Sequence, residues 1–273
     1  MRRVVAVVML CAVGLVACSS DESGSTSTST TTTAKSSAKT LTLVGPTWVL
    51  ASSPSLGASL DGLDVYAQFA DGRITGKNGC NNYSGAYTVS GSELTISSNL
   101  TSTLIGCTGA AATVETAYMA RLPRTQSYEI HGERLTLLDR SGTVLLGYTA
   151  STAADLNGNW NVTSYYTGSA IQSVNVSTAL TAKFTTNQAS GTQVSGNSGC
   201  NTYSGKVATT GNDGIAIGPL AVTQRACVDN AVNEQEQHYL AALELATTYR
   251  VTRTRLELFR ADGGFAATFE RAS

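Results

Sequence analysis

Residues 76–85 read GKNGCNNYSG and residues 196–205 read GNSGCNTYSG. The shared G-x-x-G-C-N-x-Y-S-G string, repeated 120 positions apart, constrains this chain more than any other feature, because it demands a duplicated fold. Aligning Cys80 with Cys200 brings much else into register. Trp48 parallels Trp160, each opening its half, and residues 103–107 (TLIGC) parallel residues 223–227 (TQRAC), so both cysteine steps are 27 residues. After one added residue, Tyr118 parallels Tyr239, Tyr128 parallels Tyr249, and LTL at 135–137 parallels LEL at 256–258. The chain therefore reads as two domains, 41–150 and 151–273, with the joint within residues 147–158.

Each copy is mostly short strands. Residues 65–70, 73–77, 85–89 and 93–96 alternate apolar and polar side chains between Gly, Asn and Asp turns. One helix fits per copy: 110–122, with Val114, Tyr118 and Leu122 on one face, and 230–246, with Val232, Tyr239, Leu240 and Leu243. More strands follow each helix, as in SYEI, RLTLLD and VLLGY of the first copy. The fold class is α+β, two tandem modules of antiparallel sheet and one helix.

The N-terminus predicts export. Arg2 and Arg3 precede a short apolar run that ends in LVAC, residues 15–18. This tetrapeptide is similar to the bacterial lipobox, in which the leader is cut before a cysteine that carries a diacylglycerol. Residues 1–17 are then a lipoprotein signal peptide, and Cys18 is the lipid attachment site; the alternative is an ordinary secretory leader. Two or more acyl chains on one residue anchor a protein stably. In residues 19–40, 15 of 22 are Ser or Thr, so 18–40 is expected to be a lipidated flexible tether. The folded part would face outside the cytoplasm, at the cell surface or in the periplasm.

Four cysteines remain after Cys11 and Cys18, two per copy at equal spacing. In an exported chain this predicts disulfides Cys80–Cys107 and Cys200–Cys227. Each would contribute roughly 3.5 kcal/mol in the chain-entropy account. A metal site is the weaker reading, because no His or C-x-x-C pair stands near.

The string, an opening Trp, a T-x-x-[small]-C segment before a helix and a closing L-x-L strand together resemble the META domain family, that of the heat-inducible HslJ-like proteins. The resemblance covers nearly all of 41–273 as two copies. It implies a compact domain with a curved antiparallel sheet packed on a helix, no established enzymatic activity, and associations with stress response, envelope integrity and, in some members, motility or secretion. The family often has Met two residues before the second Cys, where this chain has Ile105 and Arg225.

The repeat is an internal control on catalysis. Ser198 beside the string has Asn78 as its counterpart, so a serine nucleophile is not shared. His131 and His238 are the only histidines and are not equivalent, which argues against a triad. The pairs Asp61/Asp64 and Glu234/Glu236 read as solvated turn and helix-face charges. No nucleotide or metalloprotease motif occurs, and no cofactor or metal is expected. A net charge of -1, with -2 in 41–150 and -1 in 151–273, excludes a whole-chain case for nucleic acid. The string itself reads as a strand joint. Gly79 and Gly199 take positive φ or a close approach, Asn81 and Asn201 cap the turn, and Tyr83 and Tyr203 are buried with a hydroxyl partner. Ser84-Gly85 and Ser204-Gly205 then turn the chain, with the cysteines pointing inward. A polar ligand or peptide surface around the Asn and Tyr is the alternative. The function expected is non-enzymatic binding or envelope stress, with the membrane and an envelope protein as partners. Two rivals stand: an inhibitor of a protease or muramidase acting through residues 55–64 or 167–178, and an uncharacterised hydrolase.

Overall fold

A computed structural model describes residues 41–53, 56–187, 191–225 and 227–272. The leader, Cys18 and the whole of the tether are outside these residues. The first module holds β1 (Trp48–Ser52), β2 (Val65–Ala70), β3 (Arg73–Asn78), β4 (Asn82–Ser90), β5 (Glu93–Ile96), β6 (Thr101–Ser102), α1 (Gly109–Arg121), β7 (Ser127–His131), β8 (Arg134–Leu138) and β9 (Val144–Ala150). The second holds β10 (Gly158–Tyr166), β11 (Ile171–Ser173), β12 (Thr181–Asn187), β13 (Gly191–Asn197), β14 (Thr202–Thr210), β15 (Gly214–Val222), α2 (Asn230–Glu244), β16 (Thr248–Val251), β17 (Arg255–Phe259) and β18 (Phe265–Arg271). Each module is a nine-stranded antiparallel sheet with one helix, the α+β arrangement the residue patterns predict.

The curvature goes as far as closure. The first sheet runs β3-β2-β1-β9-β8-β7-β5-β4, and β4 pairs with β3 again, completing a ring of eight positions in which β6 extends the line of β5. In the second, β10 pairs with β12 and β11 on one side and with β18 on the other. Both rings have one narrow seam, where a single pair joins β5 to β7 (Glu93 with Ser127) and β15 to β16 (Gly214 with Thr248). Small rings are filled by inward side chains. Period-two alternation supplies them here: Ile74, Leu94, Leu135 and Leu137 in one module, Phe184, Val194, Leu256 and Leu258 in the other, all at 0% exposure. Trp48 and Trp160 are equally buried, and each indole N–H donates to a carbonyl upstream, Leu43 or Leu156, at 2.8 Å.

The helices send a tyrosine into each ring. The Tyr118 hydroxyl meets that of Tyr83 on β4 at 2.7 Å and that of Tyr148 on β9 at 3.0 Å. Strands β4 and β9 stand opposite one another in the ring, so Tyr118 bridges its two walls. In the second module Tyr239 meets Tyr203 at 2.7 Å. Phe269, paired with Leu256 as Tyr148 is with Leu135, provides no second hydroxyl.

Three local expectations are corrected. Strand β4 begins at Asn82, so Ser84-Gly85 does not turn the chain but is in mid-strand. Gly85 is needed because a Cβ would overlap the Leu100 side chain, as one at Gly205 would overlap Leu220. The helices end earlier than their periodicity suggests, at Arg121 and Glu244. The joint shortens to 151–157, since GYTA belongs to β9. There Arg271 donates to the Asn157 and Asp155 carbonyls at 3.1 and 3.0 Å and covers the Trp160 ring.

The first glycine of the string has its own steric cause. A Cβ at Gly76 would overlap the Tyr66 carbonyl, and one at Gly196 the Thr181 carbonyl, with the string's own tyrosine ring close behind. A Gly196→Ala substitution is expected to cost roughly 3 kcal/mol by forcing β12 and β13 apart. Urea unfolding checks it, and a midpoint equal to wild type would refute the close-approach account.

Candidate functional site

In both modules the string builds the same joint. Gly79 and Gly199 have φ of +99° and +111°, values that L side chains rarely adopt. The chain reverses there, and Asn78 N–H and Ser198 N–H donate back to the Asn81 and Asn201 carbonyls at 3.0 and 2.8 Å. Disulfides Cys80–Cys107 and Cys200–Cys227 tie the turn to the segment before the helix, with Cα separations of 6.3 and 6.0 Å. The cysteines are half-buried rather than inward, because the turn is at the rim of the ring.

Asn81 and Asn201 extend well beyond a local cap. Asn81 Oδ1 accepts from Thr103 Oγ1 at 2.7 Å and from the Ile105 N–H at 2.8 Å, while its Nδ2 donates to the Ile105 carbonyl at 3.1 Å. Asn201 repeats all three, with Thr223 Oγ1 at 2.9 Å, the Arg225 N–H at 2.7 Å and the Arg225 carbonyl at 3.2 Å. One side chain thus holds residues 103–105 or 223–225 by main chain and hydroxyl together. This explains why Ile105 and Arg225 serve where the family often has Met. Both side chains are exposed, and the segment is fixed through its backbone.

A carboxylate behind each asparagine completes the joint, and sequence reasoning missed it. Glu236 is buried, not solvated: it accepts from Ser198 Oγ at 2.5 Å, Asn201 N–H at 2.9 Å and Asn201 Nδ2 at 2.8 Å. Its counterpart is Glu115, which accepts from Asn78 Nδ2 and Asn81 Nδ2, both at 3.0 Å. The tyrosine frame that aligns Tyr118 with Tyr239 also aligns Glu115 with Glu236, so the signal was available. Burial raises the Glu236 carboxyl, but the Ser198 and Asn201 side chains and the backbone N–H groups outweigh it and hold it below its ordinary value of 4.5. Asn78 and Ser198 differ because either an amide or a hydroxyl can donate to this carboxylate.

Asp64 is a second correction. It is 6% exposed and accepts from Thr252 Oγ1 at 2.6 Å, across the contact between the modules. Arg250 sits beside it, its guanidinium bonded to Glu257 at 2.6 and 2.7 Å and to Gln68 Oε1 at 2.9 Å, 5.1 Å from the Tyr66 ring centre. Arg253 donates to the Leu50 carbonyl at 2.9 Å. These contacts leave a groove of about 460 Å³ whose walls include Tyr66, Lys77, Cys80, Ile105 and Phe265. The charges on it are mixed in sign.

The remaining candidates do not converge. His131 is exposed beside Glu129 at 3.5 Å, and His238 is half-buried on α2 in the other module. Of residues 55–64, Leu56 is buried and Leu60 and Leu63 pack on the first core. In residues 167–178, β11 pairs with β10 and the Asn175 N–H donates to Gln235. Cys80, Cys107 and Glu115 place their ligand atoms within 4.8 Å of one another, but the thiols are joined as a disulfide.

The META domain profile matches residues 39–152 and again 154–273. The chain belongs to the META domain family. No curated protein matches it. Among solved structures, it is similar to an NMR structure of a protein from Burkholderia xenovorans, at 24% identity over 44% of this chain and 88% of that one, with a TM-score of 0.37. A second NMR structure is 22% identical over 38% of this chain and 87% of the other, with a TM-score of 0.30. In this chain the joint is a polar feature that both META domains share.

Proposed function

We propose that this chain is an exported bacterial lipoprotein whose two META domains bind a partner in the cell envelope and perform no chemistry. The observation that carries the reading is how the shared polar residues are used. Asn81 and Asn201, with Glu115 and Glu236 behind them, direct their hydrogen bonds into holding a surface segment. The Glu236 carboxylate, stabilised as the anion by fixed donors, is poorly suited to proton transfer near neutral pH. Presenting a segment is what such a frame does.

The leader supports the location. LVAC at 15–18 and the Ser/Thr tether would place the domains outside the cytoplasm, where disulfides persist. A Cys18→Ala substitution is expected to move the protein from the membrane fraction to the soluble fraction and abolish incorporation of labelled palmitate. Unchanged membrane association would refute the anchor. In-cell crosslinking with identification of the captured protein tests the binding half.

A further inference from the structure

The asparagine frame holds different residues in its two copies. In the first it carries Leu104 and Ile105, which are 97% and 63% exposed; in the second it carries Gln224 and Arg225, both exposed. A large apolar side chain alone on a surface is ordinary. What matters at Leu104 is how its flanks are fixed. On one side Thr103 is held by its N–H to the Asn82 carbonyl at 3.0 Å and by its hydroxyl to Asn81. On the other, Ile105 is held through both its N–H and its carbonyl by Asn81, and the Cys80–Cys107 disulfide closes the segment two residues on. Among the described residues no hydrogen bond holds Leu104 itself.

A partner that receives Leu104 therefore meets a side chain already presented and a main chain already ordered. Fixing a loop is one of the costs of such a contact, and here folding has met it in advance. Binding of a pre-ordered, extended segment by its main chain, with one side chain in a deep pocket, is how proteinase clefts accept tight inhibitors, with little movement of either partner.

We infer that residues 103–107 form an inhibitory binding loop for serine proteinases with an apolar primary pocket, Leu104 filling that pocket. This rests on the binding reading above and names its partner class. Ile105 lies along the cleft, and Asn81 keeps the main chain from relaxing once engaged. No bond is broken in this proposal. The second domain has the same frame with Gln224 at the tip, so the two heads differ in specificity and the apolar pocket belongs to the first.

The test uses the whole chain in detergent micelles, with Leu104→Gly, Leu104→Arg and Val176→Ala variants, against chymotrypsin, subtilisin and trypsin. Wild type is expected to inhibit chymotrypsin or subtilisin with a constant of about 1 µM or tighter. Leu104→Gly should weaken this by about 100-fold, and Leu104→Arg should transfer inhibition to trypsin, whose pocket is acidic. Val176 is as exposed as Leu104, between Asn175 and Ser177 that are held by the Gln235 and Asn175 side chains. It is the control for any exposed apolar tip and for the loop 167–178, and should be replaceable without effect. Because Leu104 contributes nothing to the core, equal unfolding midpoints for the variants will show that the fold is intact. No inhibition by wild type at about 100 µM, or inhibition indifferent to Leu104→Gly, overturns the proposal. So does Leu104-dependent sedimentation with phospholipid vesicles in place of inhibition, which assigns the loop to a membrane. A photo-crosslinker at position 104 that captures a different class of envelope protein in cells overturns the partner class and leaves the binding reading standing. No capture from position 104 or from the groove between the modules sinks both.

Discussion

Replacing Glu236 by alanine is expected to destabilise the second domain by about 3–5 kcal/mol, the range for removing one member of a buried, hydrogen-bonded charged cluster. The substitution leaves the Asn201 N–H without its acceptor and takes one of two partners from the Ser198 hydroxyl and from the Asn201 side-chain amide, all in a buried joint. Urea unfolding followed through Trp160, the one tryptophan of that domain, measures it. The effect depends on pH. The folded carboxyl titrates below its ordinary 4.5, so its stabilisation is complete above that value and is lost as the pH falls through the depressed folded value. Glu236→Gln cannot ionise, so its deficit against wild type should shrink as pH drops below about 4.5. A deficit that stays constant to pH 3 would mean that the anion is not what the joint stabilises.

The second large effect is at Tyr118. Truncation to alanine empties the space between opposite walls of the first ring and should cost about 3–5 kcal/mol. Tyr118→Phe keeps the ring and removes only the hydroxyl that joins Tyr83 and Tyr148, with an expected cost of about 1–3 kcal/mol. Burial raises all three hydroxyls well above 10.0, so they stay protonated through the neutral range. The paired control is Tyr239→Phe, which loses one tyrosine partner instead of two and should cost less. Equal costs at the two positions would show that the Tyr148 contact contributes nothing.

Much of this architecture is written in local pattern. The duplication, the strand alternation and the 27-residue cysteine step are all periodic or repeated signals. The errors have tertiary causes. Ser84-Gly85 has the composition of a turn, yet its glycine is there to clear Leu100 from a neighbouring segment. Asp64 looks like a turn residue in DGLD, and only the other domain's Thr252 explains its burial. Glu236 looks solvated because acidic residues were weighed as neighbouring pairs, although its partner in the register of the helices is Glu115. Ring closure leaves no local trace, since β3 meets β4 through a hairpin that an open sheet would also use, and the joining of β5 to β7 is made by a single pair.

Tandem copies of one sequence ordinarily carry a hazard: each copy can lend a strand to the other, or the pair can template filaments through unpaired sheet borders. Ring closure pairs most of those borders in both domains, leaving β6 and β11 with a neighbour on one side and a single pair at each seam. The short joint at 151–157, clamped by Arg271, leaves little slack for exchange. Duplication in this fold therefore doubles the displayed segments without doubling the propensity to self-associate.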